Sequence, residues 1–149
     1  MSNQQVAAGT ETYPGQRFGL PEAGPGSVAG WSRRLVALLI DWLACSLIAI
    51  AFFYHPSAGH AAANVLEQRR LWTLAIFGAE DFLLTALTGF TIGKRLLGLR
   101  VARLDGQPVG FPRALVRTVL LMLVLPAFMM DRDLRGLQDK AAQTVVIRT

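Results

Sequence analysis

Two long apolar runs dominate the hydrophobic pattern of the chain. The first covers residues 35–54 and reads LVALLIDWLACSLIAIAFFY, in which Asp41 is the single charged residue. At about 1.5 Å per residue, a helix of this length spans the hydrocarbon core of a bilayer. Trp31, Arg33 and Arg34 precede the run and aromatic residues close it, which is typical of a membrane helix anchored at both interfaces. We therefore predict a transmembrane helix over about residues 33–54.

The second apolar run, at residues 71–90, reads LWTLAIFGAEDFLLTALTGF and carries Glu80 and Asp81 at its centre. Each ionised acid at mid-depth costs roughly 2.5–3.5 kcal/mol on insertion. The two carboxylates must therefore be sheltered by protein or water rather than by lipid. We therefore predict a second transmembrane helix at residues 71–90, in which Glu80 and Asp81 face protein or water.

A third apolar segment, residues 114–130, is interrupted by Arg117 and Pro126. Its length is near the lower limit for a span, and a proline removes one helical hydrogen bond. The segment therefore either crosses the bilayer or enters it and returns on the same side. The second alternative is favoured, because it keeps the basic C-terminal residues on the same face as the other cations.

Shorter patterns surround these runs. Residues 99–104 and 107–111 flank Asp105-Gly106, a pair that suits a tight turn with positive φ, and we predict a small cytoplasmic β-hairpin. The β-branched stretch at 144–148 could add a strand. Residues 1–30 are rich in proline and glycine and predict a flexible tail, which leaves 31–149 as the membrane domain. The predicted fold class is mainly α: a helical integral membrane protein with two firm spans and a small β element.

Composition supports a membrane protein and excludes other classes. Of the 149 residues, 52% are hydrophobic and 17% are charged, whereas a soluble domain carries about 25% charged residues. Cys45 is the single cysteine, which excludes an intrachain disulfide and a zinc site built on cysteines. No Ser-His-Asp or Cys-His set can be assembled, so that we predict no enzyme, no metal site and no cofactor.

The cations are concentrated near the ends of the apolar segments and give a net charge of +5. Lys and Arg at span ends mark the cytoplasmic face, so we predict a cytoplasmic N-terminus. Because these cations border apolar spans, lipid headgroups explain them better than nucleic acid does. The residues expected at the headgroups are Lys94, Arg95, Arg100, Arg103, Arg113 and Arg117.

Acids within the apolar runs are the candidate functional residues. Asp41, Glu80 and Asp81 could relay a proton or a small cation across the bilayer. They could equally fix the packing of the helices as buried polar contacts. The sequence leaves both interpretations open.

Three motifs resemble the RDD family of small bacterial membrane proteins. They are WSRRLVALLID at 31–41, GFTIGKRLLGLRV at 89–101 and RGLQDKAAQTVV at 135–146. The arginine and the two aspartates that name the family correspond to Arg34, Asp41 and Asp139. The resemblance implies a protein of the bacterial inner membrane, suspected of transport, in which Asp139 meets Arg34 at the cytoplasmic face. Gln138 and Gln143 depart from the histidine and the glycine common in the family.

Two functions follow as expectations. The first is transport of a small cation or proton by an oligomer, with Asp41 and Glu80 or Asp81 as relay carboxylates. The second is a non-catalytic accessory or assembly subunit of a larger membrane complex, in which another chain supplies cations for the acids. The expected partners are the lipid bilayer and further copies of the chain or other membrane subunits.

Overall fold

Two long antiparallel helices form the body of the protein in a computed structural model that describes residues 12–53, 62–123 and 133–149. Helix α1 is Trp31–Phe53 and helix α2 is Ala62–Thr88. They meet through Trp42 edge-on to Phe77, at 5.7 Å between ring centroids, and through Phe53 stacked on Trp72 at 4.3 Å. The other elements are α3 at Ile92–Leu96, β1 at Leu99–Arg103, α4 at Gly110–Met122, α5 at Leu137–Ala141 and β2 at Thr144–Arg148.

Both long helices are long and apolar enough to cross a membrane. Only 22% of the apolar window of α1 and 33% of that of α2 are buried within the structure. Leu43, Leu47 and Phe52 each leave more than half of their surface exposed. A helix in the core of a soluble domain would bury such surface, so this exposure fits a lipid environment.

Helix boundaries follow the sequence prediction for α1 and extend it for α2. Helix α2 begins at Ala62 rather than near residue 71. Residues 62–70 contain Ala, Leu, Glu, Gln and Arg, which favour helix strongly and add two turns before the apolar run begins.

The two-stranded sheet is antiparallel, as predicted, but its second strand is not the one expected in a hairpin. Leu99–Arg103 pairs with Thr144–Arg148, with Val101 opposite Val146. The turn at Asp105-Gly106 forms, with Gly106 at φ 75°, yet it leads into α4 rather than into a strand at 107–111. Pro108 cannot donate to a ladder, whereas the β-branched residues of β2 favour extended backbone. The hairpin prediction is therefore wrong, and the C-terminal strand takes its place.

Helix α4 covers the first half of the third apolar segment. It begins at Gly110, four residues before the predicted start, because Pro112 is tolerated within a first helical turn. The remainder of the predicted segment, residues 124–130, lies outside the described residues. Helix α4 packs along α2, with Phe111 against Phe82 and Met122 close to Gly78.

The N-terminal segment, predicted as a flexible tail, contacts the rest of the protein over its described part. The Gly15 backbone N–H donates to the buried Asp133 at 3.1 Å, and Arg17 forms an ion pair with the same carboxylate. Val28 forms a β-bridge with Ile147. Residues 12–30 are thus held to the C-terminal region by partners that are more than a hundred residues away in sequence.

A small core lies where the start of α1, the end of α2, the sheet and the start of α4 meet. Its buried members are Ala29, Ala37, Ala86, Leu99, Val101, Val109, Ala114 and Val146. Their small side chains let the elements approach closely, and the polar residues described next lie beside this core.

Candidate functional site

Asp41 lies at the meeting point of α1 and α3. Helix α2 stops at Thr88, and Gly89 at φ 76° turns the chain back towards α1. The Asp41 carboxylate accepts a hydrogen bond from the Thr91 hydroxyl at 2.5 Å and another from the Gly93 backbone N–H at 2.5 Å. Both oxygens of this buried carboxylate therefore have donors.

This contact requires glycine at position 93, because the space between α3 and α1 admits no larger residue. A Cβ atom at position 93 would lie 2.1 Å from the Ala37 carbonyl oxygen of α1. The GFTIG motif thus combines a helix stop at its first glycine with a close approach of α3 to α1 at its second.

Glu80 reaches the same short helix from α2. One carboxylate oxygen accepts a hydrogen bond from the Ile92 backbone N–H at 3.1 Å. The other accepts a hydrogen bond from the Cys45 thiol at 3.8 Å. The side chain is half-buried. Within the described part of the chain, no cation lies within ion-pair distance of Glu80.

Asp81 has a charged partner. It forms an ion pair with Lys94 at 3.0 Å and accepts a hydrogen bond from the Thr118 hydroxyl at 2.7 Å. Because Lys94 belongs to α3, all three acids of the apolar runs converge on residues 91–94. We call Asp41, Glu80, Asp81 and Lys94 the carboxylate cluster: three acids around one cation.

Asp139 forms a second buried centre near the sheet. It pairs with Arg34 at 3.1 Å and also with Arg117, which donates to the Thr144 hydroxyl at 2.8 Å. Arg34 also donates to the Ala29 and Val146 carbonyl oxygens, at 3.0 and 3.1 Å. The contact between Arg34 and Asp139 agrees with what the family resemblance implies. Asp41 lies apart from this pair, in the carboxylate cluster.

Two of the cations expected at lipid headgroups lie inside the structure instead. Lys94 is largely buried beside Asp81, and Arg117 is 4% exposed beside Asp139. These two side chains therefore do not lie on the surface as the prediction expects, because Asp81 and Asp139, which are buried, would be strongly destabilising without a cation.

The other four basic residues contact nearby groups. Arg95 and Arg100 are exposed and lie over the Phe90 ring at 5.7 and 5.5 Å. Arg103 pairs with Asp105, and Arg113 donates to the Gln143 side chain at 3.5 Å. The proposed contact of these four residues with lipid headgroups stays a prediction.

Three threonines complete the site and were not among the predicted residues. Thr91, Thr118 and Thr144 each place a buried hydroxyl on a carboxylate or an arginine. These threonines could have been predicted because each lies within an apolar or strand-forming stretch. A hydroxyl that such a stretch buries needs a polar partner.

Metal binding has no support within residues 12–53, 62–123 and 133–149. No three His, Cys, Asp or Glu side chains come together there in a way that could hold a metal ion. The carboxylate cluster is instead arranged around hydrogen-bond donors and a lysine.

Comparison with known proteins gives one family. The family model described as RDD family matches residues 28–143, a region that contains Arg34, Asp41, the carboxylate cluster and Asp139. Comparisons with curated proteins and with solved structures each gave no match. The matched region covers most of the chain, with two helices apolar enough to cross a membrane. The chain therefore belongs to the RDD family.

Proposed function

We propose that this chain is a multi-pass protein of the bacterial inner membrane, with both termini in the cytoplasm. The ion pair between Arg34 and Asp139, and the bridge between Val28 and Ile147, bring the C-terminal strand to the start of α1. The exposed Arg33, Arg95 and Arg100 lie in the segments around this end, and cations favour the cytoplasmic face. This arrangement supports a C-terminus on the same side as the start of α1.

We further propose that the protein moves protons, or a small cation in exchange for them, across the membrane. The observation that carries the proposal is the excess of carboxylates in the cluster: it holds three acids from two facing helices and one lysine, which pairs with Asp81. In a low-dielectric site, uncompensated negative charge favours uptake of a proton or a cation. Intramembrane carboxylates of this kind are used for proton relays.

Glu80 is the group that exchanges the proton in this proposal. Asp41 has a donor on each oxygen and Asp81 has Lys94, whereas Glu80 has one backbone N–H and a thiol at longer distance. Its side chain is half-buried, whereas those of Asp41 and Asp81 are buried. Asp41 positions α3, and thereby the donor to Glu80.

Two spans cannot enclose a path across the membrane by themselves, so the proposal includes an oligomer. The alternative role, as an accessory subunit, rested on acids that would need cations from another chain. Lys94 of the same chain pairs with Asp81, and Thr91 and Gly93 donate to Asp41, so that this reason now applies to Glu80 alone.

The test is proton flux into liposomes that contain the purified protein and an internal pH-sensitive dye. The parent protein is expected to carry flux, and Glu80→Gln is expected to reduce it to the level of empty liposomes. Glu67→Gln, an exposed glutamate on the same helix, is the matched control and should keep the parent rate. A parent protein without flux that purifies with a larger complex would contradict transport and favour the accessory role.

A further inference from the structure

A cavity of about 260 Å³ lies between α1, α2, α4 and α5. Of the carboxylate cluster, its lining includes Lys94 but none of the three acids. Its walls are mostly apolar and include Leu35, Leu38, Leu74 and Phe77. Trp31, Leu39 and Met122 also line it, and each of these is between 38% and 52% exposed at the protein surface. The cavity therefore reaches the apolar surface that would face lipid.

The polar residues that line the cavity lie at the end of it that is near the sheet. The lining includes Arg34, Lys94 and Arg117 against one carboxylate, that of Asp139. Lys94 is paired with Asp81, and the two arginines share Asp139, which leaves one positive charge in excess. This excess favours an anionic occupant. The volume is near the lower end for small-molecule sites, roughly 300 Å³, and suits a headgroup with the upper part of one chain.

Two buried polar atoms in this lining have no partner within the described part of the chain. They are the Nε of Arg117, a donor, and the Oε1 of Gln138, an acceptor. Arg117 is 4% exposed, so water does not easily satisfy its N–H. Buried polar atoms are rarely left without a hydrogen bond, and an unsatisfied pair on a cavity wall indicates a ligand with complementary groups.

We propose that the cavity binds one anionic phospholipid taken from the bilayer, with a headgroup that also carries a hydroxyl. A phosphate oxygen accepts from Arg117 Nε, a headgroup hydroxyl donates to Gln138 Oε1, and an acyl chain lies along Leu35, Leu38 and Leu39. Trp31 at the rim suits the level of the headgroups. The lipid would bridge α1, α4 and α5 and stabilise the side of the bundle on which they meet. This site does not depend on the proposed proton transport.

The test is lipid binding by the full chain in nanodiscs of phosphatidylcholine, titrated with phosphatidylglycerol and followed by native mass spectrometry. We expect one phosphatidylglycerol per chain, with a preference over phosphatidylcholine of about tenfold. Both lipids have the phosphate, but only phosphatidylglycerol has a headgroup hydroxyl for Gln138 and lacks the choline cation that the basic lining would repel. Leu38→Trp fills the cavity and should abolish the preference. Leu47→Trp, on the exposed part of the same helix, is the matched control and should keep it.

Two further measurements separate the alternatives. Gln138→Leu, which removes the acceptor without filling the cavity, should weaken phosphatidylglycerol binding, and Glu80→Gln should leave it unchanged. Equal binding of both lipids, or full binding by a folded Leu38→Trp variant, would overturn the proposal. Displacement of the lipid by inorganic phosphate alone would also overturn it, because the site would then recognise a free anion.

Discussion

At the scale of single residues, the central feature is how a buried aspartate is satisfied. Asp41 lies within a helix whose backbone donors are already used, so its hydrogen bonds must come from another element. Thr91 and the Gly93 N–H supply them, and this requires α3 to lie against the backbone of α1. Glycine at position 93 is therefore a condition for the carboxylate cluster.

Replacing Gly93 by alanine should destabilise the protein. The added methyl group would collide with the Ala37 carbonyl oxygen, and overpacking of this kind costs about 1–3 kcal/mol. A lower midpoint of thermal unfolding in detergent is expected. Gly30→Ala is the control, because no atom lies within 4 Å of a Cβ there. Equal midpoints for the two variants would contradict the close packing of α3 on α1.

Substitution by lysine should lower stability at Arg34 but not at its neighbour Arg33. Arg34 bonds Asp139 and two backbone carbonyl oxygens, which lysine cannot reproduce with a single ammonium group. We expect Arg34→Lys to lower the free energy of unfolding by about 1–3 kcal/mol, since hydrogen bonds to charged groups contribute roughly that much. Arg33→Lys, at an exposed side chain, should stay within about 0.5 kcal/mol of the parent in denaturant unfolding. A similar loss in both variants would show that the ion pair is not specific to Arg34.

The sequence indicated which acids needed shelter but not what shelters them. Asp41 and its donors are 50 and 52 residues apart, and Asp81 and Thr118 are 37 apart. Such partners are chosen by tertiary packing, which periodicity and composition do not encode locally. The same reason explains why Lys94 and Arg117 looked like surface cations: only the fold brings Asp81 and Asp139 to them.

At the scale of elements, the sheet joins two segments that are far apart in sequence. The Val101 N–H donates to the Gly89 carbonyl oxygen at 2.7 Å, and the Val146 carbonyl oxygen accepts from the Ala29 N–H at 2.9 Å. Val101 and Val146 therefore form a non-hydrogen-bonded pair. In an antiparallel ladder, the Cα atoms of such a pair lie closer together than those of a hydrogen-bonded pair. The local turn signal at Asp105-Gly106 favoured a hairpin, but pairing with β2 buries more β-branched surface.

A disulfide can test this register. In a Cys45→Ala background, Val101→Cys with Val146→Cys should form a cross-link on mild oxidation, because the two positions face each other in the ladder. Val101→Cys with Val145→Cys is the control, since neighbouring strand residues point to opposite faces. Peptide mass spectrometry under non-reducing conditions detects both. A cross-link in the control and none in the first pair would contradict the register.

At the scale of the whole molecule, the contacts place the described N-terminal segment, residues 12–30, beside the C-terminal region. Gly15 donates to Asp133, and Val28 pairs with Ile147. The start of α1 and the end of α2 lie beside the same sheet, as two antiparallel helices require. The sequence predicted the two long apolar helices, because their length and composition can be read directly from it. The contact between Arg34 and Asp139 was implied only by the family resemblance.

Accessibility of introduced cysteines tests the side on which the two ends lie. In the Cys45→Ala background, Glu22→Cys and Thr149→Cys should both resist a membrane-impermeant maleimide in intact cells and react after permeabilisation. Glu67→Cys, near the opposite end of α2, should react in intact cells. Labelling of Thr149→Cys but not Glu22→Cys from outside would contradict a shared cytoplasmic face.

The most direct test of the central claim is infrared spectroscopy of the protein in lipid at neutral pH. A protonated carboxyl group has its own C=O stretching band, distinct from those of carboxylates. We predict such a band in the parent and in Glu67→Gln, and its loss in Glu80→Gln. The absence of the band from the parent, or its persistence in Glu80→Gln, would contradict Glu80 as the residue that holds the proton.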